Sequence, residues 1–296
     1  MRSDIGRRIG NVLVTGASKG IGRATALRLD LLGWRVFAGV RNETAAEDLK
    51  RQASGKLVPV RLDVADEGTI SAAKEEISGR VGEGGLEGLV NNAGIAVAAP
   101  LEFIPMDAFR EQMEVNLTGQ LAVTQEFLPL LRRAEGRIVN LSSIGGRLST
   151  PMIGPYHASK FGLEALSDAL RVELRPWGIE VILIEPGAIA TPIWEVSSAA
   201  ADRLLDRMPS RVHELYGRQI AAAKANAART GSGGAPPETV ARTIEKALTA
   251  RRPKTRYLVG TDARIAAAVA TRLPTRLRDR LLSRQVDGHK APTPGR

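Results

Sequence analysis

The chain contains no cysteine and only three histidines, and these two scarcities limit its chemistry. Without cysteine it can form no disulfide, no thiolate metal site and no cysteine nucleophile. The histidines, His157, His213 and His289, are scattered along the sequence, so we do not expect a structural zinc site. Any chemistry must therefore proceed without a metal or rely on carboxylate ligands, and we predict no metal site.

Long apolar runs are also missing. No stretch approaches the ~18 uninterrupted apolar residues of a membrane helix, and residues 1–10 carry arginines without the apolar core of a signal peptide. The expected location is therefore the cytoplasm. The net charge of +10 would suggest nucleic-acid or membrane binding, but residues 264–296, with eight Arg and Lys against two Asp, contribute +6 of it. This basic tail has no aromatic platform, so we expect no nucleic-acid partner.

What the chain does have is a regular alternation of short apolar segments and amphipathic segments. The apolar segments lack strict alternation, which is typical of strands buried on both faces. Repeated strand-helix-strand units predict one α/β domain, with a doubly wound parallel sheet of about seven strands and helices on both faces. The predicted strands are 11–15, 35–40, 57–62, 86–90, 137–141, 180–185 and 256–259, and the predicted helices are 20–32, 44–53, 67–79, 107–133, 156–177 and 238–250.

Within the predicted domain, 1–262, residues 191–237 form a long excursion between the sixth and seventh strands. Helices are expected at 200–207 and 212–229, followed by a glycine-rich stretch at 231–234 and the pair Pro236-Pro237. An insertion of this length in a compact domain usually covers a functional site. We therefore interpret residues 191–237 as a substrate lid.

The C-terminal extension, 263–296, has the pattern of a basic amphipathic helix pair. Ile265, Val269, Leu273, Leu277 and Leu281 recur every four residues among arginines, and Pro274 is expected to start a second helix. Such a stretch can lie peripherally on an anionic membrane, or it can pack on protein across a subunit interface or over the mouth of the site. Residues 288–296 are expected to be disordered.

The turn formed by residues 15–22 follows a predicted strand and opens a predicted helix. Its glycines leave out Cβ atoms where a pyrophosphate would approach the backbone, and the helix N-terminus offers N–H groups and a favourable dipole. It does not end in Gly-Lys-Ser/Thr, so a nucleotide-hydrolysing loop is disfavoured. We predict a dinucleotide cofactor held by Gly16, Ser18, Lys19, Gly20, Ile21 and Gly22.

The end of the second strand indicates which dinucleotide is bound. A carboxylate there receives the ribose hydroxyls of NAD, whereas a basic residue receives the 2′-phosphate of NADP. Here Val40 stands at the acidic position, Arg41 follows it, and Lys19 lies in the glycine turn. We predict a preference for NADP(H) over NAD(H), with Arg41 and Lys19 at the 2′-phosphate.

Tyr156 and Lys160 stand four residues apart and share one face of a predicted helix. An ammonium beside a phenol lowers its pKa, and such a phenol can exchange a proton with an alcohol or a carbonyl near neutral pH. His157 projects from a different face, so we expect a surface or packing role for it.

The glycine turn, Asn91-Asn92-Ala93-Gly94, Asn116, Ser143, the Tyr156/Lys160 pair and Pro186-Gly187 resemble, in order and spacing, the motifs of the short-chain dehydrogenase/reductase family. The resemblance implies a Rossmann-type fold and an oxidoreductase that interconverts an alcohol and a ketone or aldehyde. It implies Tyr156 as proton donor, Lys160 as its partner and ribose ligand, Ser143 as the group that orients the substrate oxygen, and Asn116 as the holder of a water. Further cofactor contacts are implied for Asp63, Val64, Asn92, Ala93, Gly94, Tyr156, Lys160, Pro186, Gly187, Ile189 and Thr191.

The Val-Arg-Asn ending of the second strand, the run 156–164 and the extended C-terminus resemble the retinol and 17β-hydroxysteroid dehydrogenase branch. With the apolar lid, this implies a lipid-, steroid- or retinoid-like substrate. A 3-oxoacyl-thioester reductase activity is one alternative. A non-catalytic NADP-binding regulator is another, which the intact set of four site residues disfavours. The resemblance also implies a homodimer or homotetramer built on helices 107–133 and 156–177.

Overall fold

The computed structural model describes residues 9–286, which are built around one seven-stranded parallel sheet. Its strands are β1 (Asn11–Val14), β2 (Arg35–Val40), β3 (Leu57–Arg61), β4 (Gly88–Asn91), β5 (Arg137–Leu141), β6 (Glu180–Pro186) and β7 (Arg256–Val259). They are ordered β3-β2-β1-β4-β5-β6-β7, and all neighbours are parallel. The strand order reverses between β1 and β4, so a crevice opens there at the carboxyl ends of the strands. The predicted doubly wound sheet is confirmed.

Helices connect these strands and cover both faces of the sheet. They are α1 (Gly20–Leu31), α2 (Glu43–Lys50), α3 (Glu67–Val81), α4 (Met106–Met113), α5 (Gly119–Ala134), α6 (Gly154–Glu173), α7 (Ile193–Leu205), α8 (Arg211–Gly233), α9 (Pro237–Thr249), α10 (Thr261–Arg272) and α11 (Thr275–Val286). A π-helical turn (Glu114–Thr118) joins α4 to α5, and a short 3-10 helix (Ile144–Gly146) follows β5.

Two apolar layers hold the sheet, one on each face. Along β1, the fully buried Val12 and Val14 belong to one layer and Leu13 to the other, because successive side chains of a strand point to opposite faces. Helices α1, α2 and α9 cover the first layer, and α3 and α5 cover the second. This two-sided burial explains why the strands read as continuous apolar runs.

Three stretches of the chain differ from the predicted helices. The single helix expected at 107–133 is interrupted by the π-helical turn. The first lid helix begins at Ile193 rather than 200, directly after Pro192, which suits a helix start. The helix expected at 212–229 extends into the glycine-rich stretch, because α8 continues to Gly233, and Thr230 and Ser232 donate their hydroxyls to carbonyls of the preceding turn. Glycine therefore lowers the helix propensity here without ending the helix.

The C-terminal extension forms two helices, and α11 begins directly after Pro274 as the sequence predicted. Helix α11 contacts the lid helix α8, and α10 contacts β7. The outer side of the pair keeps large apolar side chains exposed, at 62% for Ile265, 49% for Leu277 and 44% for Leu281. The segment 288–296, expected to be disordered, lies outside the described residues. Between residues 9 and 286, no helix has both the length and the apolar character that crossing a bilayer requires.

Candidate active site

The turn between β1 and α1 forms a cradle at the carboxyl edge of the sheet. A Cβ atom on Gly16, whose φ is +63°, would lie 2.8 Å from Cα of Ala93, and one on Gly22 would lie 2.3 Å from the Gly16 carbonyl oxygen. The Asn92 amide nitrogen donates to the carbonyls of Thr15 and Gly16, at 2.9 and 3.1 Å, and fixes the loop after β4 against the turn. No side chain caps the N-terminus of α1. The cradle therefore fits the pyrophosphate of a dinucleotide.

Two cations stand at the outer end of this cradle. Lys19 and Arg41 are both exposed, and neither pairs with another of the described residues. The neighbouring Arg23, by contrast, is held by Asp48 at 2.5 Å. Because Lys19 and Arg41 are unneutralised, they are available to a phosphate group.

At the end of β3, Asp63 and Val64 lie where the resemblance placed an adenine contact. The Asp63 carboxylate accepts a hydrogen bond from the Ala65 backbone N–H at 3.1 Å, and Thr69 donates its hydroxyl to the Asp63 carbonyl at 3.0 Å. Asp63 therefore caps a turn, which leaves its second carboxylate oxygen for a ligand. Val64 is buried, and its carbonyl lies against Gly119 at the start of α5.

The segment after β6 brings the start of the lid against the cradle. The Gly187 N–H donates to the Val259 carbonyl at 2.9 Å, and Ile189 forms a bridge to Ala235 at the far end of the lid. A Cβ atom on Gly20 would lie 3.3 Å from the side chain of Thr191. Thr191 thus lies at the edge of the cradle, and Gly187 and Ile189 lie between it and the carboxyl end of β6.

Ser143, Tyr156 and Lys160 converge beside the cradle, because β5 ends at Leu141 and α6 packs over the loop that follows it. The Ser143 hydroxyl oxygen accepts from the Gly145 N–H at 3.0 Å, and its side chain also forms a hydrogen bond with the Tyr156 phenol. The neighbouring Ser142 is buried, and its hydroxyl has no partner among the described residues. Ser143 is therefore the serine that faces the tyrosine.

The charge state of the tyrosine differs from the sequence prediction. Burial raises the pKa of the Tyr156 phenol, and the hydrogen bond with Ser143 opposes this rise only in part. The predicted lowering by Lys160 is not found, because the ammonium donates to the Leu141 carbonyl at 2.6 Å and lies 5.8 Å from the centre of the phenol ring. Tyr156 is therefore a neutral phenol at neutral pH.

Lys160 is almost completely buried, and its surroundings disfavour its charge. Burial lowers the pKa of its ammonium to about 8, although the nearby Glu164 carboxylate acts in the opposite direction. Lys160 is thus still mostly protonated at neutral pH.

Asn116 lies in the π-helical turn, which sequence reasoning missed. Its carbonyl oxygen accepts from the Ile95 N–H at 2.9 Å, and its amide nitrogen donates to the Ile95 carbonyl at 3.0 Å and to the Ser159 hydroxyl at 3.3 Å. The turn therefore joins the loop after β4 to the catalytic helix α6. An asparagine in the middle of a helix was the available signal, since its side chain competes with the helical backbone bonds.

His157 has the packing role that was expected, but at an unexpected place. It is buried, its Nδ1 donates to the Gly145 carbonyl at 2.9 Å, and its Nε2 lies 3.0 Å from the Thr150 hydroxyl. Burial lowers the pKa of the imidazole. His157 thus fastens the loop after Ser143 to α6, whereas His213 is exposed on the lid.

The lid contacts the loop before α4 and the first turn of α4. The Tyr216 hydroxyl donates to Glu102 at 2.7 Å, and Arg207 pairs with Asp107 at 2.8 Å. Beneath these contacts the lid buries an apolar cluster with the loop residues, formed by Leu205, Val212, Ile220, Phe103, Met152, Met208 and Tyr216. Among residues 9–286, no group of three acidic, His or Cys side chains could hold a metal ion.

The chain resembles known proteins over most of its length. The sequence profile described as short chain dehydrogenase matches residues 10–202. The chain is 38% identical over 278 residues to retinol dehydrogenase 5 of Mus musculus, and 40% identical over 279 residues to the 17-beta-hydroxysteroid dehydrogenase type 6 of Bos taurus. Each alignment covers 92% of this chain and 87% of the relative. A solved short-chain dehydrogenase from Streptomyces avermitilis, 27% identical, has a TM-score of 0.74, with coverage of 94% of this chain and 97% of that one.

Replacing Lys160 with Met should stabilise the protein. The folded state holds a buried ammonium of pKa about 8, against 10.5 for a free lysine, so wild-type folding carries a penalty at pH 7 that a methionine avoids. We expect the free energy of unfolding in urea to rise by about 2 kcal/mol at pH 7.

The pH dependence of this gain is its diagnostic feature. The unfolded chain keeps the lysine proton up to a higher pH than the folded chain, so wild-type stability rises between pH 8 and pH 10.5. The advantage of Lys160→Met should therefore shrink across this window. Lys50→Met, at an exposed position, is the control and should change little; a loss of stability on replacing Lys160 at pH 7 would contradict the expectation.

Proposed function

The chain belongs to the short-chain dehydrogenase/reductase family, and from this premise we propose that it is an NADP(H)-preferring oxidoreductase that interconverts an apolar alcohol and its ketone or aldehyde. The observation that carries the proposal is the convergence of Ser143, Tyr156 and Lys160 beside the glycine cradle. The bound nicotinamide supplies or accepts the hydride. The residues of the chain orient the substrate and move the proton.

In the reducing direction, the Ser143 hydroxyl donates to the substrate carbonyl oxygen and holds it beside Tyr156. The phenol then gives its proton to that oxygen. Burial raises the pKa of this phenol, so its proton is in place at neutral pH. The Lys160 ammonium, which donates to the Leu141 carbonyl, is assigned to the nicotinamide ribose, while Asn116 holds the water that returns a proton from solvent.

For the cofactor, we assign the cradle of Gly16, Ser18, Gly20, Ile21 and Gly22 to the pyrophosphate, which the missing Cβ atoms leave accessible. Lys19 and Arg41 take the 2′-phosphate, and Asp63 and Val64 border the adenine. The loop Asn92, Ala93 and Gly94 supports the central part of the cofactor. Pro186, Gly187, Ile189 and Thr191 meet the nicotinamide end.

The substrate class that we propose is a lipid-, steroid- or retinoid-like molecule. The two relatives act, by their names, on retinol and on 17β-hydroxysteroids. In this chain, the lid packs apolar side chains such as Ile220 against Phe103, before α4, and Met152, before α6, and this apolar surface suits a substrate with a large apolar body. The residues 191–237 act as the lid of the domain 1–262.

We also propose that the protein is a cytoplasmic homodimer or homotetramer built on α5 and α6. The partly exposed Leu121, Leu166 and Leu170, together with Phe161 at 44% exposure and Val172 at 73%, give these helices apolar surface that a second copy could bury.

The outer side of α10 and α11 is assigned to peripheral contact with an anionic membrane. Exposed Ile265, Leu277 and Leu281 stand among exposed arginines, while the inner side of the pair packs on the protein. Apolar groups can enter the interface between headgroups and acyl chains while guanidinium groups attract acidic lipids.

Replacing Tyr156 with Phe removes the proton donor and should lower kcat for reduction of a steroid ketone or retinaldehyde by about 1,000-fold. Binding of NADPH, measured by fluorescence titration, should stay within about twofold, because the cradle is untouched. The control is Tyr257→Phe, since the Tyr257 hydroxyl only accepts from the Lys254 N–H at 3.0 Å. Substantial turnover by Tyr156→Phe would refute the mechanism.

Replacing Arg41 with Ala should lower kcat/KM for NADPH by about 10- to 100-fold, the value of a charge-assisted contact to a phosphate. The value of kcat/KM for NADH should change little, because NADH lacks the 2′-phosphate. Arg51→Ala, an exposed arginine at the end of α2, is the matched control. If the wild-type protein uses NADH as efficiently as NADPH, the assignment of Arg41 and Lys19 is wrong.

The membrane assignment can be tested by cosedimentation of the full chain with vesicles. We expect binding to vesicles rich in phosphatidylglycerol that weakens with salt, and little binding to phosphatidylcholine. Replacing both Leu277 and Leu281 with Asp should reduce binding by about tenfold or more, whereas Leu31→Asp, at a position that is 85% exposed on α1, should not. Absence of vesicle binding by the wild-type chain would favour a protein contact instead.

A further inference from the structure

A cluster of buried ionic side chains joins α6 to β6 and β7, close to the catalytic lysine. Glu185 on β6 is fully buried, and Glu164 on α6 is 8% exposed. Arg256 on β7 lies between them, with its Nε 3.0 Å from Glu164 and 3.3 Å from Glu185. Arg147, in the loop after Ser143, pairs with Glu185 at 2.7 Å. The cluster thus connects the loop after Ser143, here called the serine loop, with α6, β6 and β7.

The cluster is not fully satisfied by hydrogen bonds. One oxygen of each glutamate, Oε1 of Glu164 and Oε2 of Glu185, is buried without a partner in the described part of the chain, as is the Ser142 hydroxyl. Burial raises the pKa of the Glu185 carboxyl; the hydrogen bond from Arg147 opposes the rise, and the charge of Glu164 adds to it. Two carboxylates so close together in a dry environment carry a large electrostatic cost, which structural packing alone does not require.

Glu164 is the member of the cluster that can act on the reaction. It lies one helical turn after Lys160 and on the same face of α6. The serine loop presses on both residues: a Cβ atom on Gly146 would lie 2.9 Å from the Glu164 side chain and 3.1 Å from the Lys160 carbonyl. The loop therefore closes over this part of α6 and keeps it from solvent, which strengthens the attraction between the carboxylate and the ammonium.

The other charged groups around Glu164 and Lys160 either belong to the cluster or are exposed to solvent. Arg147, Arg256 and Glu185 belong to the cluster itself. Asp168, one turn further along α6, pairs with Arg256 at 2.7 Å and with Arg171 at 2.5 Å, and its side chain is 51% exposed. The ionic side chains of α4 and of the π-helical turn, Asp107, Arg110, Glu111 and Glu114, are exposed. Tyr156 is the remaining titratable neighbour of Lys160.

We propose that Glu164 is a positioning residue whose carboxylate, anchored by Arg256, is the counter-charge that keeps the buried Lys160 protonated through neutral pH. The inference rests on the proposed function, in which Lys160 acts as an ammonium. Burial alone opposes that charge, and Glu164 offsets part of the opposition. The free-energy cost of burying the two carboxylates is thus linked to the protonated form of Lys160, the form in which it acts.

The test is Glu164→Gln, which keeps the shape of the side chain and its hydrogen bond from Arg256 but removes the charge. We expect the alkaline limb of kcat/KM for ketone reduction by NADPH to move about one pH unit lower. Turnover at pH 8 should therefore fall several-fold relative to wild type, while turnover at pH 6.5 stays within about twofold.

A direct measurement separates this inference from the proposed function. In protein labelled with ¹³C-lysine, the Lys160 resonance can be assigned by its loss in Lys160→Met, and its titration midpoint followed by NMR. Glu164→Gln should move this midpoint to lower pH, and an unchanged midpoint would overturn the inference. If Lys160→Met retained full turnover, the proposed function would fail instead, whatever the titration showed.

Two matched variants sharpen the result. Asp168→Asn also removes one negative charge that is paired with Arg256, but this charge lies two helical turns from Lys160. The variant should leave the Lys160 titration midpoint in place, and a shift as large as that of Glu164→Gln would overturn the inference. Glu164→Asp keeps the negative charge, so the alkaline limb of its kcat/KM profile should lie at the wild-type pH. Should Glu164→Gln fail to fold, the double variant Glu164→Met, Arg256→Met replaces the pair by apolar side chains, which proteins often tolerate. It should shift the midpoint in the same direction, because Glu164 is the charge that acts on Lys160.

Discussion

The close approach of two loops, the turn after β1 and the loop after β4, is the constraint on which the rest of the site depends. The Thr15 hydroxyl accepts from the N–H groups of Asn92 and Ala93, and the Asn92 side chain donates back to the turn. Gly16 and Gly22 permit this approach because any side chain would fill the space. With the two loops fixed, Asn116 is set against Ile95, and α6 is placed through Ser159. The glycine cradle and Tyr156, the proposed proton donor, are therefore positioned by one chain of contacts.

The serine loop has a second set of supports. His157 holds the Gly145 carbonyl, Arg147 pairs with the buried Glu185, and Gly146 lets the loop lie directly on α6. Three kinds of interaction thus converge within a few residues of Ser143. In its proposed role of orienting a substrate oxygen, the Ser143 hydroxyl gains from such support, since small displacements weaken orientation strongly.

The architecture could be predicted because it depends on periodicity and on local signals. The apolar runs of β1 and β5 and the glycines of the turn identify a parallel sheet and its cofactor edge without any knowledge of distant contacts. The four candidate site residues follow from family motifs. The other features of the site depend on contacts between residues that are distant in sequence. Glu164 pairs with Arg256, 92 positions away, and the sequence around neither residue indicates this pairing. The raised pKa of Tyr156 likewise depends on tertiary structure, because it results from burial of the phenol, while the Lys160 ammonium donates to the Leu141 carbonyl.

The contact between α11 and α8 connects the C-terminal extension to residues 191–237, the proposed substrate lid. Any body that holds the extension in place also restrains one wall of the crevice, and any movement of the lid must be transmitted to the extension. For an enzyme with a lipid-soluble substrate, attachment of the protein through its C-terminal extension would then be coupled to the opening of its crevice. Variation in the last two helices would alter the rate of substrate entry without touching a residue of the proton-transfer site.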